Sequence, residues 1–267
     1  MPKISVIMGV YNCKNKKELF NSVNSIINQT FEDWELIICN DGSDDNFTKT
    51  LLDEIKKLDR RIKCIEYEQN QGLAYALNEC INFSNGEFIA RQDDDDISNP
   101  QRLEKQIKYL ENNTNIALVG TNATIYNSTG IWGRMNVPKY PNKRDFLWNS
   151  PFIHPSIMIR KNDILSVGGY RVSKETRRCE DYDLFMRMYS MGKKGHNIQE
   201  ELYQYRVENG ENKHRPMKYR IDEAIVRYKG FKKLNILLIG LPYVIKPLII
   251  GLIPQKIFKF IKSKQYS

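Results

Sequence analysis

The chain has 267 residues, 41% of them hydrophobic and 11% aromatic, so it is long enough for one large globular domain with an appendage. Its five cysteines form no CxxC pair and its three histidines are dispersed, which argues against a structural zinc site and a disulfide framework. The net charge of +9 is uneven, because 13 basic residues face two acidic ones from Lys213 onward, while residues 1–212 hold 28 basic and 30 acidic side chains. We therefore expect an anionic partner for the tail alone.

Strand-like and helix-like segments alternate along the first part of the chain. An apolar run at 3–9 starts almost at once and lacks the features of a signal peptide, which predicts a cytoplasmic protein. Asn15 is a candidate N-cap with Glu18 three residues later. The later segments predict strands at 34–39, 62–66 and 87–91 and helices at 46–58 and 72–83, and Pro100 is placed to start a further helix. This alternation predicts an α/β fold with right-handed βαβ units, a mostly parallel sheet and helices on both faces.

Polar segments follow three of the predicted strands. Tyr11-Asn12 follows the first strand, Asp41-Gly42-Ser43 the second, and Asp93–Asp96 the strand that ends at Arg91. In open α/β sheets, ligands bind beyond the carboxyl ends of the strands. We therefore expect Asp41 and the aspartate run to belong to one pocket.

The run of four aspartates suits a hard divalent cation, since Mg²⁺ and Mn²⁺ prefer carboxylate oxygens and often bridge to substrate phosphates. The alternative is a solvated acidic loop, or negative charge at the N-terminus of the following helix. The residues alone leave both interpretations open.

Seven fragments, taken together, resemble the family 2 glycosyltransferases over roughly residues 3–206. In chain order they are ISVIMGVYN, QTFEDWELIICNDGSDD, NQGLAYALN, GEFIARQDDDDIS, HPSIMIRK, GGYR and CEDYDLFMRM. The resemblance implies a GT-A fold with a Rossmann-like, mostly parallel central sheet. It also implies a nucleotide-sugar donor, usually a UDP-sugar, and a Mn²⁺ or Mg²⁺ cofactor.

The resemblance implies a donor pocket built by the segments that follow the strands. The matching substrate-binding positions are Val10, Tyr11, Asn12, Asp41, Asn70 and Gly72. Among them, Asp41 matches the acidic residue that hydrogen-bonds uracil, and capping of the turn at Gly42 is its alternative role. The position that often carries an arginine in this family is Leu77 here.

The D-x-D element of the family matches Asp93-Asp94-Asp95. By this match Asp93 faces the ribose or the metal, Asp94 lies at the donor, and Asp95 binds the metal that bridges the diphosphate. Asp96 continues the pattern and would hold the loop. His154 is a candidate further metal ligand, with a purely structural histidine as the alternative.

The family's E-D element matches Glu180-Asp181, which makes Asp181 the candidate general base and Glu180 a substrate-binding residue. A single base opposite the leaving group implies one in-line displacement with inversion. The alternative is that these acids are only the N-terminal charges of a helix. Arg206 is expected at the donor diphosphate, although the histidine that often follows it two places later is Glu208 here.

The apolar run at 234–253 is long enough to span a bilayer, but two prolines and Lys246 lie within it. We expect a kinked segment on the inner face of the cell membrane, held by flanking lysines on anionic lipid. The alternative is a helical pair packed on the enzyme or in a homo-oligomer interface. The chain thus divides into a catalytic domain at 1–212 and a helical tail at 213–267.

The sequence as a whole predicts an inverting, metal-dependent glycosyltransferase that acts on a glycan or lipid-linked acceptor in surface polysaccharide synthesis. Three aromatic residues lie where such enzymes build the acceptor side, although aromatics are more often core: Trp132, Trp148 and Phe152. A nucleotidyltransferase is the second candidate, but GVYNCKNKK has one glycine and makes a poor phosphate loop. A nucleic-acid-binding protein fits less well, because the basic residues flank an apolar run.

Overall fold

Strands and helices alternate through the first half of the protein, as a computed structural model that describes residues 1–208 and 215–253 shows. The strands are β1 Ile4–Val10, β2 Trp34–Asn40, β3 Ile62–Glu66, β4 Phe88–Arg91, β5 Ile97–Ser98, β6 Ile116–Asn127, β7 Gly130–Met135, β8 Met158–Arg160 and β9 Lys194–Arg206. The helices are α1 Lys16–Ile27, α2 Asn46–Ile55, α3 Leu73–Phe83, α4 Arg102–Asn112, α5 Lys161–Ser166, α6 Glu180–Ser190, α7 Met217–Lys233 and α8 Leu237–Leu252.

The helix starts follow local side-chain chemistry. The Asn15 side chain accepts a hydrogen bond from the Lys17 N–H at 3.0 Å, which confirms the predicted cap of α1. The prediction that Pro100 opens α4 is wrong by two residues. The Pro100 carbonyl instead accepts the Thr30 N–H at 2.9 Å, so the chain is held against the end of α1 before the helix begins at Arg102.

The central sheet has the order β3-β2-β1-β4-β8-β6-β9-β5, with β7 paired to β6. Strands β1 to β4 pair in parallel, as the βαβ pattern predicts. The remaining pairings are mixed, because β6 is parallel to β9, whereas β8 is antiparallel to β4 and β6, and β5 is antiparallel to β9. The hairpin β6–β7 and the short segments before β8 provide no crossover helix, so these strands join the sheet in mixed directions.

Both faces of the sheet are covered, as predicted. Along β1 the side chains of Ile4, Val6 and Met8 pack with helices α1, α2 and α4, while Ile7 points into the second core with α3 and α6. Burial on both faces explains why this strand reads as a continuous apolar run. The polar carboxyl ends of β1, β2 and β4 are thereby left as the edge at which a ligand can reach the sheet.

Helix α7 is anchored on the body of the protein by a buried arginine. The Arg227 guanidinium donates to the Leu147 carbonyl at 2.9 Å and to the Trp148 carbonyl at 3.2 Å, and it pairs with Glu223 at 3.0 Å. It also bonds the Tyr182 hydroxyl at 3.2 Å, next to the start of α6. Arg227 therefore links the first turn of α6 to helix α7 of the tail.

Helix α8 folds back on α7 and contains both prolines of the apolar run. The Lys246 ammonium lies 3.7 Å from the centre of the Trp148 ring and donates to the Trp148 carbonyl at 2.5 Å. Burial, with the nearby charge of Arg227 adding to it, lowers the pKa of Lys246 to about 8. The predicted alternative of a helical pair packed on the enzyme thus describes the inner side of α8.

The outer side of α8 is apolar and exposed. Five of its exposed side chains recur every three or four residues along one stripe: Leu238, Leu241, Ile245, Ile249 and Leu252. Within residues 1–208 and 215–253, no helix is long and apolar enough to cross a bilayer.

We expect Arg227→Met to lower the free energy of unfolding by about 3–5 kcal/mol, because it leaves Glu223 and two backbone carbonyls without their buried partner. Lys229→Met on the same helix removes a more exposed pair with Glu175 and should cost about 0–1 kcal/mol. Chemical denaturation of both variants checks this. Equal losses would show that Arg227 does not anchor α7.

Candidate active site

Three loops meet at the carboxyl edge of β1, β2 and β4. The Asn12 N–H donates to the Ser43 hydroxyl at 3.0 Å, and the Asp44 N–H donates to the Asn12 side chain at 3.2 Å. Asn12 has a φ of 47°, so the chain turns sharply after β1. On the other side of β1, the Ser22 hydroxyl donates to the Asp93 carbonyl at 2.6 Å. The predicted donor loops and the aspartate run therefore line neighbouring parts of one edge.

Asp41 lies at the centre of a ring of donors from its own chain. Its carboxylate accepts hydrogen bonds from the Tyr67 hydroxyl at 2.5 Å, the Asn70 amide at 2.9 Å, the Gln71 N–H at 2.8 Å and the Gly72 N–H at 3.0 Å. These four donors match the roughly four acceptor sites of a carboxylate. The structure thus gives Asp41 a role in fixing the loop before α3, and its bond to uracil stays a prediction.

The residues predicted around the base differ in exposure. Tyr11 is 47% exposed, whereas Val10 is only 1% exposed and packs in the core under α1. Val10 therefore supports the loop from below, and Tyr11 is the side chain that a ligand can reach. Gly42 has a φ of +63°, and a Cβ there would lie 2.4 Å from the Gln69 carbonyl carbon, so only glycine fits between the two loops.

The backbone of the acidic loop, residues 93–96, is hydrogen-bonded from several sides. The Asp93 N–H donates to the Tyr203 hydroxyl at 3.2 Å, and the Tyr126 hydroxyl donates to the Asp95 carbonyl at 2.5 Å. The Asp96 carboxylate is buried and accepts the Arg206 N–H at 2.7 Å, as expected for a residue that holds the loop. These bonds use the backbone and Asp96, and they leave the carboxylates of Asp94 and Asp95 to the pocket.

Arg91, the last residue of β4, supplies a buried positive charge beneath this loop. Its side chain is 3% exposed, and its Nη2 atom lies 2.5 Å from the Asp93 carboxylate. Its Nε and Nη1 atoms are buried and have no hydrogen-bond partner within 1–208 and 215–253. The sequence placed Arg91 only as a strand end. A charged residue closing an apolar strand beside four aspartates is the signal that could have identified it.

The carboxyl groups of Asp94 and Asp95 lie close to Asp93, and the charge of Arg91 offsets the repulsion among them only in part. Burial, and then repulsion by Asp93, raises the pKa of Asp94 to about 6. Burial and repulsion by Asp93 and Asp94 raise the pKa of Asp95 to about 7. A constrained set of carboxylate oxygens that holds its protons this strongly fits a divalent cation of the Mg²⁺ or Mn²⁺ type.

The first turn of α6 and the segment before β8 bring three more candidates together. One ligand atom each from His154, Glu180 and Asp181 lies within 4.8 Å of the others, a separation that could hold a metal ion. The His154 Nε2 atom is 2.8 Å from the Tyr170 hydroxyl. That His154 and the aspartate run share a metal ion stays a prediction. The structure does show that His154 lies close to Asp181.

The charges of this cluster follow from its burial. Burial raises the pKa of Asp181, while backbone hydrogen bonds and the charge of Arg91 oppose the rise. Burial and repulsion by Asp181 raise the pKa of Glu180 to about 7. Burial, with Arg91 adding to it, holds the pKa of His154 well below its usual range, so the imidazole is neutral. The cluster therefore combines a neutral histidine with two acids that resist being charged together.

Other charged residues near the predicted site have structural partners. Asp183 pairs with Arg171 at 2.9 Å and with Arg187 at 2.7 Å, so it serves as a helix-start charge rather than as a pocket residue. The Arg206 guanidinium pairs with Glu18 and Glu208. Arg206 thus lies beside the acidic loop, and its expected contact with a diphosphate stays a prediction.

We expect Asp95→Asn to change how the stability of the metal-free protein depends on pH. The folded pKa of Asp95 lies above its unfolded value, so its proton stabilises the folded state at low pH, and this contribution is lost as pH rises through about 7. Between pH 5 and pH 8, the free energy of unfolding of the variant should rise by about 1–2 kcal/mol relative to that of wild type, after discounting for partial exposure. Denaturation in EDTA measures this.

Asp44→Asn, on the exposed neighbouring loop, is the matched control and should change the free energy of unfolding by less than about 0.5 kcal/mol. If the stability of Asp95→Asn follows that of wild type between pH 5 and pH 8, burial and repulsion do not raise the pKa of Asp95 as described.

Comparison with known proteins supports the resemblance found in the motifs. EpsE of Bacillus subtilis, which is named as a glycosyltransferase, is 38% identical over 264 residues, covering 99% of this chain and 94% of EpsE. An Escherichia coli enzyme is 29% identical over 240 residues, covering 86% of this chain and 84% of its own. It is named UDP-Gal:alpha-D-GlcNAc-diphosphoundecaprenol beta-1,3-galactosyltransferase.

Among solved structures, TarS 1–349 of S. aureus in complex with UDP-GlcNAc has a TM-score of 0.71. It is 18% identical, and the match covers 91% of this chain and 73% of that chain, which supports a shared GT-A fold. The sequence model of the family described as Glycosyl transferase family 2 matches residues 5–169, more than half of the chain. The chain therefore belongs to glycosyl transferase family 2, and it is a glycosyltransferase.

Proposed function

We propose that this glycosyltransferase moves a sugar from a UDP-sugar to an acceptor hydroxyl, with inversion and with a divalent cation. The observation that carries the proposal is the placement of two acid groups around one buried arginine. The acidic loop holds carboxylates that repel one another next to Arg91, and the charge of Arg91 also acts on Asp181. Inverting transfer needs these two functions, stabilisation of a leaving diphosphate and removal of a proton from the acceptor.

The donor side would be formed by the loops after β1, β2 and β4. Exposed Tyr11 and the tightly held loop around Asp41 offer a surface for the base and ribose. Asp93 and Asp95 would hold Mn²⁺ or Mg²⁺, which when bound stabilises the negative charge of the departing diphosphate. The TarS complex with UDP-GlcNAc supports a UDP-sugar as the donor class.

The acceptor side would be formed by the first turn of α6. Asp181 lies next to neutral His154, and its raised pKa makes it a stronger base than a solvent-exposed aspartate. As the acceptor oxygen attacks the anomeric carbon, the proton moves from that oxygen to the Asp181 carboxylate. The bond from the anomeric carbon to the diphosphate oxygen breaks, and its electron pair leaves with the nucleotide.

A lipid-linked glycan is the acceptor class that we propose, in the synthesis of a surface polysaccharide. The name of the Escherichia coli relative gives a diphosphoundecaprenol-linked sugar as its acceptor. The proposed division into a catalytic domain at 1–212 and a helical tail at 213–267 fits this role, and residues 209–214 and 254–267 lie outside the part of the chain that the structure describes. Trp148, which is 63% exposed and contacts Lys246 of α8, connects the predicted acceptor side with that tail.

The exposed stripe of α8 would rest on the inner face of the cell membrane. Five large aliphatic side chains face outward, while Lys246 on the inner side is bonded to the protein body. Helix α7 ends in Lys232 and Lys233, which suit anionic headgroups. An apolar face flanked by lysines is typical of an interfacial helix.

We expect Asp181→Asn to lower transfer by at least roughly 10²-fold while UDP and Mn²⁺ bind nearly as in wild type, because the amide keeps the shape but takes no proton. Asp95→Ala should lose both transfer and Mn²⁺-dependent UDP binding. Turnover is measured as UDP release from a panel of UDP-sugars with a lipid-linked acceptor, and binding by calorimetry. Near-normal transfer by Asp181→Asn would leave this residue as a helix-start charge only.

We expect the double substitution Ile245→Glu/Ile249→Glu to abolish sedimentation with anionic liposomes, because it places two negative charges in the exposed stripe of α8. The matched control Ile131→Glu/Leu165→Glu changes two other exposed aliphatic residues away from α8 and should sediment like wild type. If the two double variants sediment equally, the stripe of α8 covers another protein surface instead.

A further inference from the structure

Arg91 is a buried charge of the site to which the sequence assigns no role. It is held in place through its backbone, since its N–H donates to the Ile157 carbonyl at 3.0 Å. Its carbonyl accepts Nη1 of the buried Arg102 at 2.9 Å, and the same Arg102 atom bonds the Pro155 carbonyl at 3.0 Å. The arginine is thus fixed between the acidic loop and the segment that carries His154.

Arg91 serves two groups of acids with one charge. Its only ion pair within 1–208 and 215–253 is with Asp93, at 2.5 Å. Its positive charge also acts on Glu180 and Asp181, where it opposes the effect of burial. Two of its three nitrogens remain buried and without partners in the described chain. Buried nitrogens without a hydrogen-bond partner lower the stability of the protein unless an anion or a rearrangement satisfies them. The pair with Asp93 is therefore not the only arrangement of this guanidinium.

We propose that Arg91 is a positioning residue that holds Asp93 in the metal-free enzyme and yields this carboxylate to the divalent cation. The guanidinium then stays as a fixed positive charge between the acidic loop and Glu180–Asp181. The Asp93 carboxylate cannot pair fully with the Arg91 guanidinium and bind the divalent cation at the same time. Arg91 and the metal therefore compete for this carboxylate. This inference rests on the proposed metal dependence, and it adds that the free enzyme weakens its own metal site.

The competition predicts the sign of a substitution effect. A structural arginine would support the loop, so its loss would weaken metal binding. A competing arginine does the opposite, and removing it should tighten binding. Arg91→Gln removes the cation that lies 2.5 Å from the Asp93 carboxylate, so we expect this variant to bind Mn²⁺ at least about tenfold more tightly.

The test is the affinity for Mn²⁺ alone, without nucleotide, measured from the EPR signal of the free ion. Wild type, Arg91→Lys and Arg91→Gln should bind progressively more tightly, because lysine keeps the charge but loses the planar fork that pairs with a carboxylate. Transfer should fall in Arg91→Gln, because the fixed charge is lost from the site, and it should fall less in Arg91→Lys, which keeps that charge. If Arg91→Gln does not fold, the step from wild type to Arg91→Lys decides.

Asp93→Asn provides the control, since no carboxylate is left to compete for. On that background, Arg91→Gln should no longer tighten Mn²⁺ binding. An unchanged or weakened affinity in the single Arg91 variants would overturn the competition and leave a metal site with a structural arginine. If wild type binds no Mn²⁺ at all, the proposed metal dependence fails, and the role of Arg91 fails with it.

Discussion

The ion pair between Arg91 and Asp93 is the interaction on which the arrangement of this site depends. Four consecutive aspartates after a buried strand would repel one another, and the chain places one guanidinium under the first of them. The backbone of the loop is bonded to α1 and to β9, and Asp96 is turned inward. With these constraints met, Asp94 and Asp95 are the carboxylates left with strong mutual repulsion. The same arginine faces the acids of α6, so both halves of the site are tied to one charge.

The first half of the fold was predictable from the sequence because its signals are local. Apolar strands, a capped first helix and polar strand ends together indicate a parallel sheet with a ligand edge, and β1 to β4 have this arrangement. The second half has no such regular alternation. Strand β8 is three residues long and follows a segment without a helix, so its antiparallel pairing with β4 depends on tertiary contacts. Propensity and periodicity do not contain that information.

The site was predictable in its residue types and only partly in its contacts. The motifs identified the aspartate run, Asp181 and His154, and the structure brings His154 and Asp181 together although 27 positions of sequence separate them. The four donors around Asp41 come mainly from a loop beyond β3, which no spacing rule predicts. The role of Arg91 was missed for a different reason. An arginine at a strand end usually reads as exposed, and only the structure shows that it is buried.

The central claim of this account is a single displacement in which Asp181 takes the acceptor proton while the nucleotide leaves from the opposite face. The most direct measurement is the anomeric configuration of the newly formed linkage, determined by NMR from the proton coupling at the anomeric carbon and compared with that of the donor sugar. The account predicts complete inversion, so an α-linked donor gives a β-linked product. A product that keeps the configuration of the donor would contradict it, because retention requires a second displacement or attack from the leaving-group face.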